Sequence, residues 1–213
     1  MARYDHTFIA MDTETGGLPS EKKGTKGTID IALTEVAMVA IDNESLRIID
    51  KGSWLIKPYS NDLIYDKGAE IASGISKEMC EKEGIELEDV YENMKKFLKK
   101  HKNGRNKPIL VFHNKPFDTP FIENVFLLFK DNLYNYIDRI ECTLELSRTK
   151  FIEKPKFNLG AVAEMFGLDH TQAHRALPDT IITAEVWIGL MKCLRSEASG
   201  KQEENKFRHT FKF

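Results

Sequence analysis

The stretch Phe8-Ile9-Ala10-Met11-Asp12-Thr13-Glu14-Thr15-Gly16-Gly17-Leu18 limits what this chain can become more than any other. Four apolar residues running into a polar, glycine-rich turn read as a buried strand whose end emerges at a surface. Side chains two apart on a strand share a face, which sets Asp12 and Glu14 on one side, roughly 7 Å apart along the chain. Two carboxylates so placed repel each other. Crowding them is costly unless a cation neutralises them, and hard oxygen ligands of this kind suit Mg²⁺ or Mn²⁺. An isolated D-x-E pair ordinarily means only the polar start of a turn, so the rest of the chain decides between the two readings.

A chain of 213 residues is long enough for one well-buried α/β core. Its composition does not change over residues 1–195, which are expected to form one domain, followed over 196–213 by a polar linker and an aromatic, basic tail. Hydrophobic content of 41% and charged content of 30% are those of a globular protein. A net charge of −2 argues against a broad, sequence-independent grip on duplex nucleic acid, though not against holding a short single-stranded end. Cys80, Cys142 and Cys193 are odd in number and lack C-x-x-C spacing, so neither a disulfide framework nor a zinc knuckle is indicated and a reducing cytoplasm fits best. Met1 to His6 carries no apolar signal core and no apolar run reaches membrane-spanning length, so no membrane contact is expected.

After the first strand, Gly16 to Asp30 has loop chemistry with a rim of Lys22, Lys23 and Lys26, open to phosphates or merely solvated. Ile31 to Ile41 and Leu46 to Ile56 read as a second and third strand of an antiparallel meander. Glu35, the one charge within the second strand, is either an outer partner of the acidic site or a residue on a solvated face. Ala69 to Glu83 reads as short helical pieces broken at Gly74, with Ser76 as N-cap. Leu87 to Lys100 is an amphipathic helix whose lysines form a solvated face, and Ile109 to Phe112 is a short buried strand.

A second constellation follows, His113-Asn114-Lys115-Pro116-Phe117-Asp118, with Thr119 and Pro120 expected to begin a helix. Asp118 is then a capping carboxylate or a ligand. An edge strand is expected over Ile137 to Ile140, a helix near Thr143 to Arg148, and a helix capped by Asn158 that stops at Gly167. The third constellation runs from His170 to Asp179. Pro178 and Asp179 fall in the first turn of a long helix, and His174 lies in the loop before it. An acid is favoured at a helix start in any case, and a zinc pair of His170 and His174 lacks the glutamate of H-E-x-x-H.

Taken together, the order D-x-E, then H-N-x-x-F-D, then H-x-x-x-x-D resembles the DnaQ-like 3′–5′ exonucleases with a histidine in the third motif (DEDDh), the family of the proofreading subunit of bacterial DNA polymerase III. Supporting similarity lies in Ile71 to Met79 and Phe157 to Ala163. The resemblance implies an RNase H-like α/β fold, a five-stranded mixed sheet flanked by helices. It implies that Asp12, Glu14, Asp118 and Asp179 hold two divalent cations, Mg²⁺ or Mn²⁺, and that His174 is the general base for the attacking water. Substrate contacts would come from Thr13, Thr15, Gly17 and Leu18, and from His113, Asn114 and Phe117; ordinary packing is the alternative for Leu18 and Phe117. The implied substrate is a single-stranded or frayed DNA 3′ end released as nucleoside 5′-monophosphates, with a DNA polymerase subunit as a conceivable partner. An RNA-trimming exoribonuclease of the same fold and a non-catalytic nucleic-acid or polymerase-docking module are the rival readings. Three departures stand out, one being a loop from Pro19 to Asp30 longer than in compact relatives, which is expected to make the substrate shape near the site particular to this protein. Gly16 replaces a threonine of many relatives and is expected to leave the backbone more mobile, while Cys142 replaces an aspartate, which puts local hydrogen bonding in doubt.

Overall fold

Strand β1 (Phe8–Thr15) is buried over its first four residues because it lies in the middle of the sheet with a neighbour on each side. The structure, a computed structural model, describes residues 6–18, 30–170 and 175–198. Strands β2 (Leu33–Asp42) and β3 (Arg47–Leu55) extend the sheet as an antiparallel meander on one side of β1. On the other side, β4 (Ile109–Phe112) and β5 (Ile140–Cys142) run parallel, giving the order β3-β2-β1-β4-β5. The expected five-stranded mixed sheet flanked by helices is therefore present.

Helices cover both faces, which is why β2 is buried almost throughout and does not alternate. On one face Ile9, Met11, Val36, Met38, Leu110 and Phe112 pack against α3 (Leu87–Lys100) and α4 (Lys115–Leu128). On the other, Phe8, Ala10, Val39, Ile41 and Val111 meet Ala184, Trp187 and Ile188 of α7 (Ala176–Ala198). The Phe8 and Trp187 rings touch edge to face at 5.0 Å, an apolar joint that seats α7 across β1. Shorter helices complete the chain: α1 (Lys67–Ser73), α2 (Lys77–Glu83), α5 (Thr143–Lys150) and α6 (Leu159–Met165). Ser76 accepts from Met79 N–H at the start of α2 and Asn158 from Ala161 N–H at the start of α6, as the capping signals indicate. Lys96, Lys99 and Lys100 of α3 are exposed as a solvated face, Lys100 pairing with Asp50 at 2.8 Å, whereas the Lys95 side chain is only 14% exposed, paired with Glu92 at 2.8 Å and lying 4.3 Å over the Tyr91 ring.

Some boundaries differ from those expected. Helix α4 begins at Lys115, not at Pro120, because Asn114 takes a left-handed conformation (φ 71°, ψ 52°) that turns the chain out of β4. Pro116 then fills an N-terminal position where no N–H is needed, and Asp118 enters the first helical turn. Strand β5 starts at Ile140, since Ile137 is a core residue packed beside α3 and α4. Helix α7 continues past Ser196 to Ala198, and near that end Arg195 donates to Asn43 O at 2.6 Å. The lysine-rimmed loop over 19–29 and the tail over 199–213 lie outside the described residues. Among the described residues, no helix is long and apolar enough to cross a membrane.

Gly16 does not loosen the turn. Its N–H donates to Ala32 O at 2.7 Å, its carbonyl accepts from Asp66 N–H at 2.6 Å, and a Cβ at this position would lie 2.2 Å from Ile64 O. The missing side chain admits the Ile64 backbone, and the turn after Glu14 is pinned on both sides. Gly16→Ala is expected to destabilise the fold by about 1–3 kcal/mol through overpacking, with an unchanged m-value, as read by urea unfolding.

Candidate functional site

Strand β1 outruns β4, whose pairings stop at Ala10↔Val111, so from Asp12 onward β1 has a neighbour only on the β2 side. Asp12 and Glu14 project to the face that holds α7, the same face as Ala10. Asp179, in the first turn of α7, arrives from that side, and one carboxylate oxygen each from Asp12, Glu14 and Asp179 lie within 4.8 Å of one another. Asp118 comes from the opposite face on α4 and is only 3% exposed. Its Oδ1 accepts the Thr13 N–H at 3.2 Å and the Thr13 hydroxyl at 2.7 Å. It thus takes a backbone donor that lies beyond the last β4 pairing. The four acids converge in two ways, three in one ligand-sized group and the fourth held against them by Thr13.

The electrostatics follow. Burial, then the charges of Asp118, Glu14, Asp179 and Glu35, push Asp12 well above the usual carboxylate range. Burial and the charges of Asp179, Glu35 and Asp118 push Glu14 up to about 7, with Arg175 pulling the other way. Burial lifts Asp118 to about 7 against the hydrogen bonds from Thr13. At an effective dielectric of ~20, two charges ~5 Å apart repel by about 3 kcal/mol, more than the ~1 kcal/mol a hydrogen bond contributes. Hydrogen bonds alone therefore cannot keep these acids ionised side by side. The repulsion is relieved either by protonating some of the acids or by a cation among them, and an all-carboxylate oxygen set fits a hard divalent ion.

Glu35 faces Glu14 across the β1–β2 register and is 5% exposed, so it is an outer partner of the cluster and not a solvated residue. Arg175 holds it with two bonds of 3.0 Å, Ala176 N–H donates at 3.1 Å and the Ser53 hydroxyl at 3.1 Å. Four donors satisfy a carboxylate that would otherwise be expensive to bury. Because Asp179 N–H bonds Arg175 O at 3.1 Å, the clasp on Arg175 also sets the first turn of α7.

Several expected substrate contacts have other partners. His113 accepts the Thr143 hydroxyl at Nδ1 (2.8 Å) and donates Nε2–H to Phe157 O (3.0 Å), so neither ring nitrogen is left for a phosphate. Burial first, with the charges of Arg148 and His170, pushes its pKa down to about 4. The Thr13 hydroxyl serves Asp118, and the Thr15 hydroxyl donates to Gly17 O at 2.8 Å. Asn114 is exposed at the start of α4, Leu18 is 71% exposed just past the end of β1, and the partly buried Phe117 ring leans on Phe121 at 5.6 Å. Cys142 precedes α5 without making a side-chain cap, the local loss that its replacement of an aspartate implies. His174 lies outside the described residues. The zinc pair of His170 and His174 lies partly outside the described residues with it, and His170 itself meets Asp179 at 2.7 Å, a contact that the motif spacing did not suggest.

This sheet order, with acids gathered where the central strand outruns its parallel neighbour, is that of an RNase H-like domain, and the acidic group is one that could hold a metal ion. Residues 9–187 match the RNase T exonuclease family model, and the chain belongs to that DnaQ-like exonuclease family. It is 29% identical over 195 residues to DNA polymerase III PolC-type of Staphylococcus aureus and of Staphylococcus epidermidis, covering 90% of this chain and 12% of those proteins. The chain thus spans about an eighth of the length of these relatives. Among solved structures, it overlays the zinc-bound E. coli exonuclease I–single-stranded DNA complex with a TM-score of 0.72 and 19% identity, over 91% of this chain and 41% of the other. Exonuclease X in complex with 5′-overhanging duplex DNA overlays with a TM-score of 0.58 and 22% identity, over 87% and 92% of the two chains.

His113 generates a pH prediction. Its folded pKa, about 4, is depressed below the ordinary 6.5. It therefore contributes stability that is present above pH ~6.5 and lost as the pH falls towards ~4, because the unfolded chain takes up the proton first. The stability gap between the wild type and His113→Asn is expected to narrow over that window, by on the order of 3 kcal/mol at most, in denaturant titrations at successive pH values.

Proposed function

We propose that the chain is a divalent-cation-dependent 3′–5′ exonuclease that hydrolyses the terminal phosphodiester of single-stranded or frayed DNA and releases nucleoside 5′-monophosphates. The observation that carries this reading is the approach of Asp12, Glu14 and Asp179 to within 4.8 Å, with Asp118 held against them. These four residues would hold two cations, Mg²⁺ or Mn²⁺. When bound, the ions supply an activated water and neutralise the charge that builds on the phosphate oxygens. His174 would take the proton of the attacking water as general base, a role suited to an imidazole, whose unperturbed pKa is ~6.5. Leu18, exposed just past the end of β1, would wedge against a terminal base, and Phe117 and Asn114, at the start of α4 with Asp118, would flank it. Such contacts reach only unpaired bases, so frayed or single-stranded ends are favoured over duplex.

DNA is preferred over RNA here because E. coli exonuclease I, a fold relative, was solved with single-stranded DNA. Likeness to DNA polymerase III PolC-type supports work beside a DNA polymerase. His113, with both nitrogens engaged, serves by fastening the end of β4 to α5 and Phe157, and the hydroxyls of Thr13 and Thr15 serve by holding Asp118 and the turn.

The test uses 5′-labelled DNA and RNA strands of one sequence, incubated with Mn²⁺ or with EDTA. A ladder is expected only with metal and only with intact Asp12 and Asp179, and stronger on DNA. Strand binding without any ladder would make the chain a docking module, and a stronger RNA ladder would make it an exoribonuclease. His174→Ala is expected to lower the single-turnover rate by about 10²–10⁴-fold with little change in strand affinity.

A further inference from the structure

Asp179 is met by an imidazole for which the three motifs provide no task. The chain leaves α6, turns at Gly167 with φ 70°, and brings His170 back against the start of α7. His170 Nε2 lies 2.7 Å from Asp179 Oδ1, and the two side chains are only 15% and 14% exposed. On its other side the ring abuts α6, where a Cβ at position 160 would lie 3.3 Å from His170 Nδ1. The imidazole thus occupies a slot bounded by the Gly160 backbone and the Asp179 carboxylate.

A carboxylate set beside two others relieves repulsion by rotating away, unless something holds it. We propose that His170 is a positioning residue: by donating Nε2–H to Asp179 Oδ1, it fixes the plane of that carboxylate and directs it at the position shared with Asp12 and Glu14. This rests on the reading of those three acids as cation ligands. The Glu35–Arg175 clasp sets the Asp179 backbone, and His170 sets its side chain. Partners of this kind, one bond removed from an ion, typically change metal affinity 10–100-fold when lost.

The experiment measures Mn²⁺ affinity of the full chain by electron paramagnetic resonance, without nucleic acid, and checks folding by thermal melting in EDTA. His170→Leu keeps bulk without a donor and is expected to bind Mn²⁺ about 10–100-fold more weakly. His170→Gln, which puts an amide N–H near the place of Nε2, is expected to stay near the wild type. Folded His170→Leu with wild-type affinity, beside a weakened Asp179→Asn, overturns the positioning role and leaves the cation reading standing. Unchanged affinity in both Asp179→Asn and Asp12→Ala removes the cation reading and this inference with it. Should His170→Leu not fold, imidazole ¹⁵N shifts of His170 in the metal-free wild type and Asp179→Asn decide: a change supports the bond, and identical shifts overturn it.

Discussion

Repulsion among carboxylates at the open end of β1 is the interaction around which this molecule is arranged. Burial pushes Asp12, Glu14 and Asp118 towards their neutral forms, and neighbouring acids push Asp12 and Glu14 further. A fold keeps such a cluster only when the rest of its packing is strong enough to oppose the repulsion. The opposing parts are visible: α7 seated by Trp187 against Phe8, Glu35 satisfied by four donors, and Asp118 fixed by Thr13. Each brings an acid nearer to its neighbours than it would go unaided, and that shortfall in local stability is what makes the site receptive to a cation.

Much of the architecture was legible in the chain because it depends on short-range rules. The spacing of Leu87, Val90, Tyr91, Met94, Phe97 and Leu98 marks α3, and every one of them is buried. Ser76 and Asn158 announce their helices by supplying an oxygen to an otherwise unpaired N–H. The start of α4 misled for an equally local reason. Two prolines, Pro116 and Pro120, compete for the helix start, and the left-handed turn at Asn114 that decides between them follows from how β4 must hand over to α4.

The site divides along the same line. That Asp12 and Glu14 share a face follows from the period of a strand, whereas the arrival of Asp179 depends on α7 crossing the sheet. Glu35 could be singled out as the lone charge in an apolar strand, but its partner Arg175 is 140 residues away. For His113 the sequence suggested a substrate contact, and the structure gives both its nitrogens to protein atoms. Nothing local distinguishes an imidazole that faces outward from one used as a strut, since tertiary neighbours alone make the difference. His170 illustrates the converse, because the sequence offered it only as half of a zinc pair and its contact with Asp179 becomes visible only when the tertiary neighbour is known.

Asp118 has an architectural duty that complicates the interpretation of any variant there. By accepting the Thr13 N–H it finishes a ladder that β4 is too short to finish, so the acid also seals an unguarded strand margin. Removing it strands a buried amide and also takes away an acid proposed to hold a cation, while asparagine can retain the acceptor and lose only the charge. Inactivity after Asp118→Ala therefore says less about chemistry than the same result at Asp179, and a comparison of the alanine and asparagine replacements would separate the two duties.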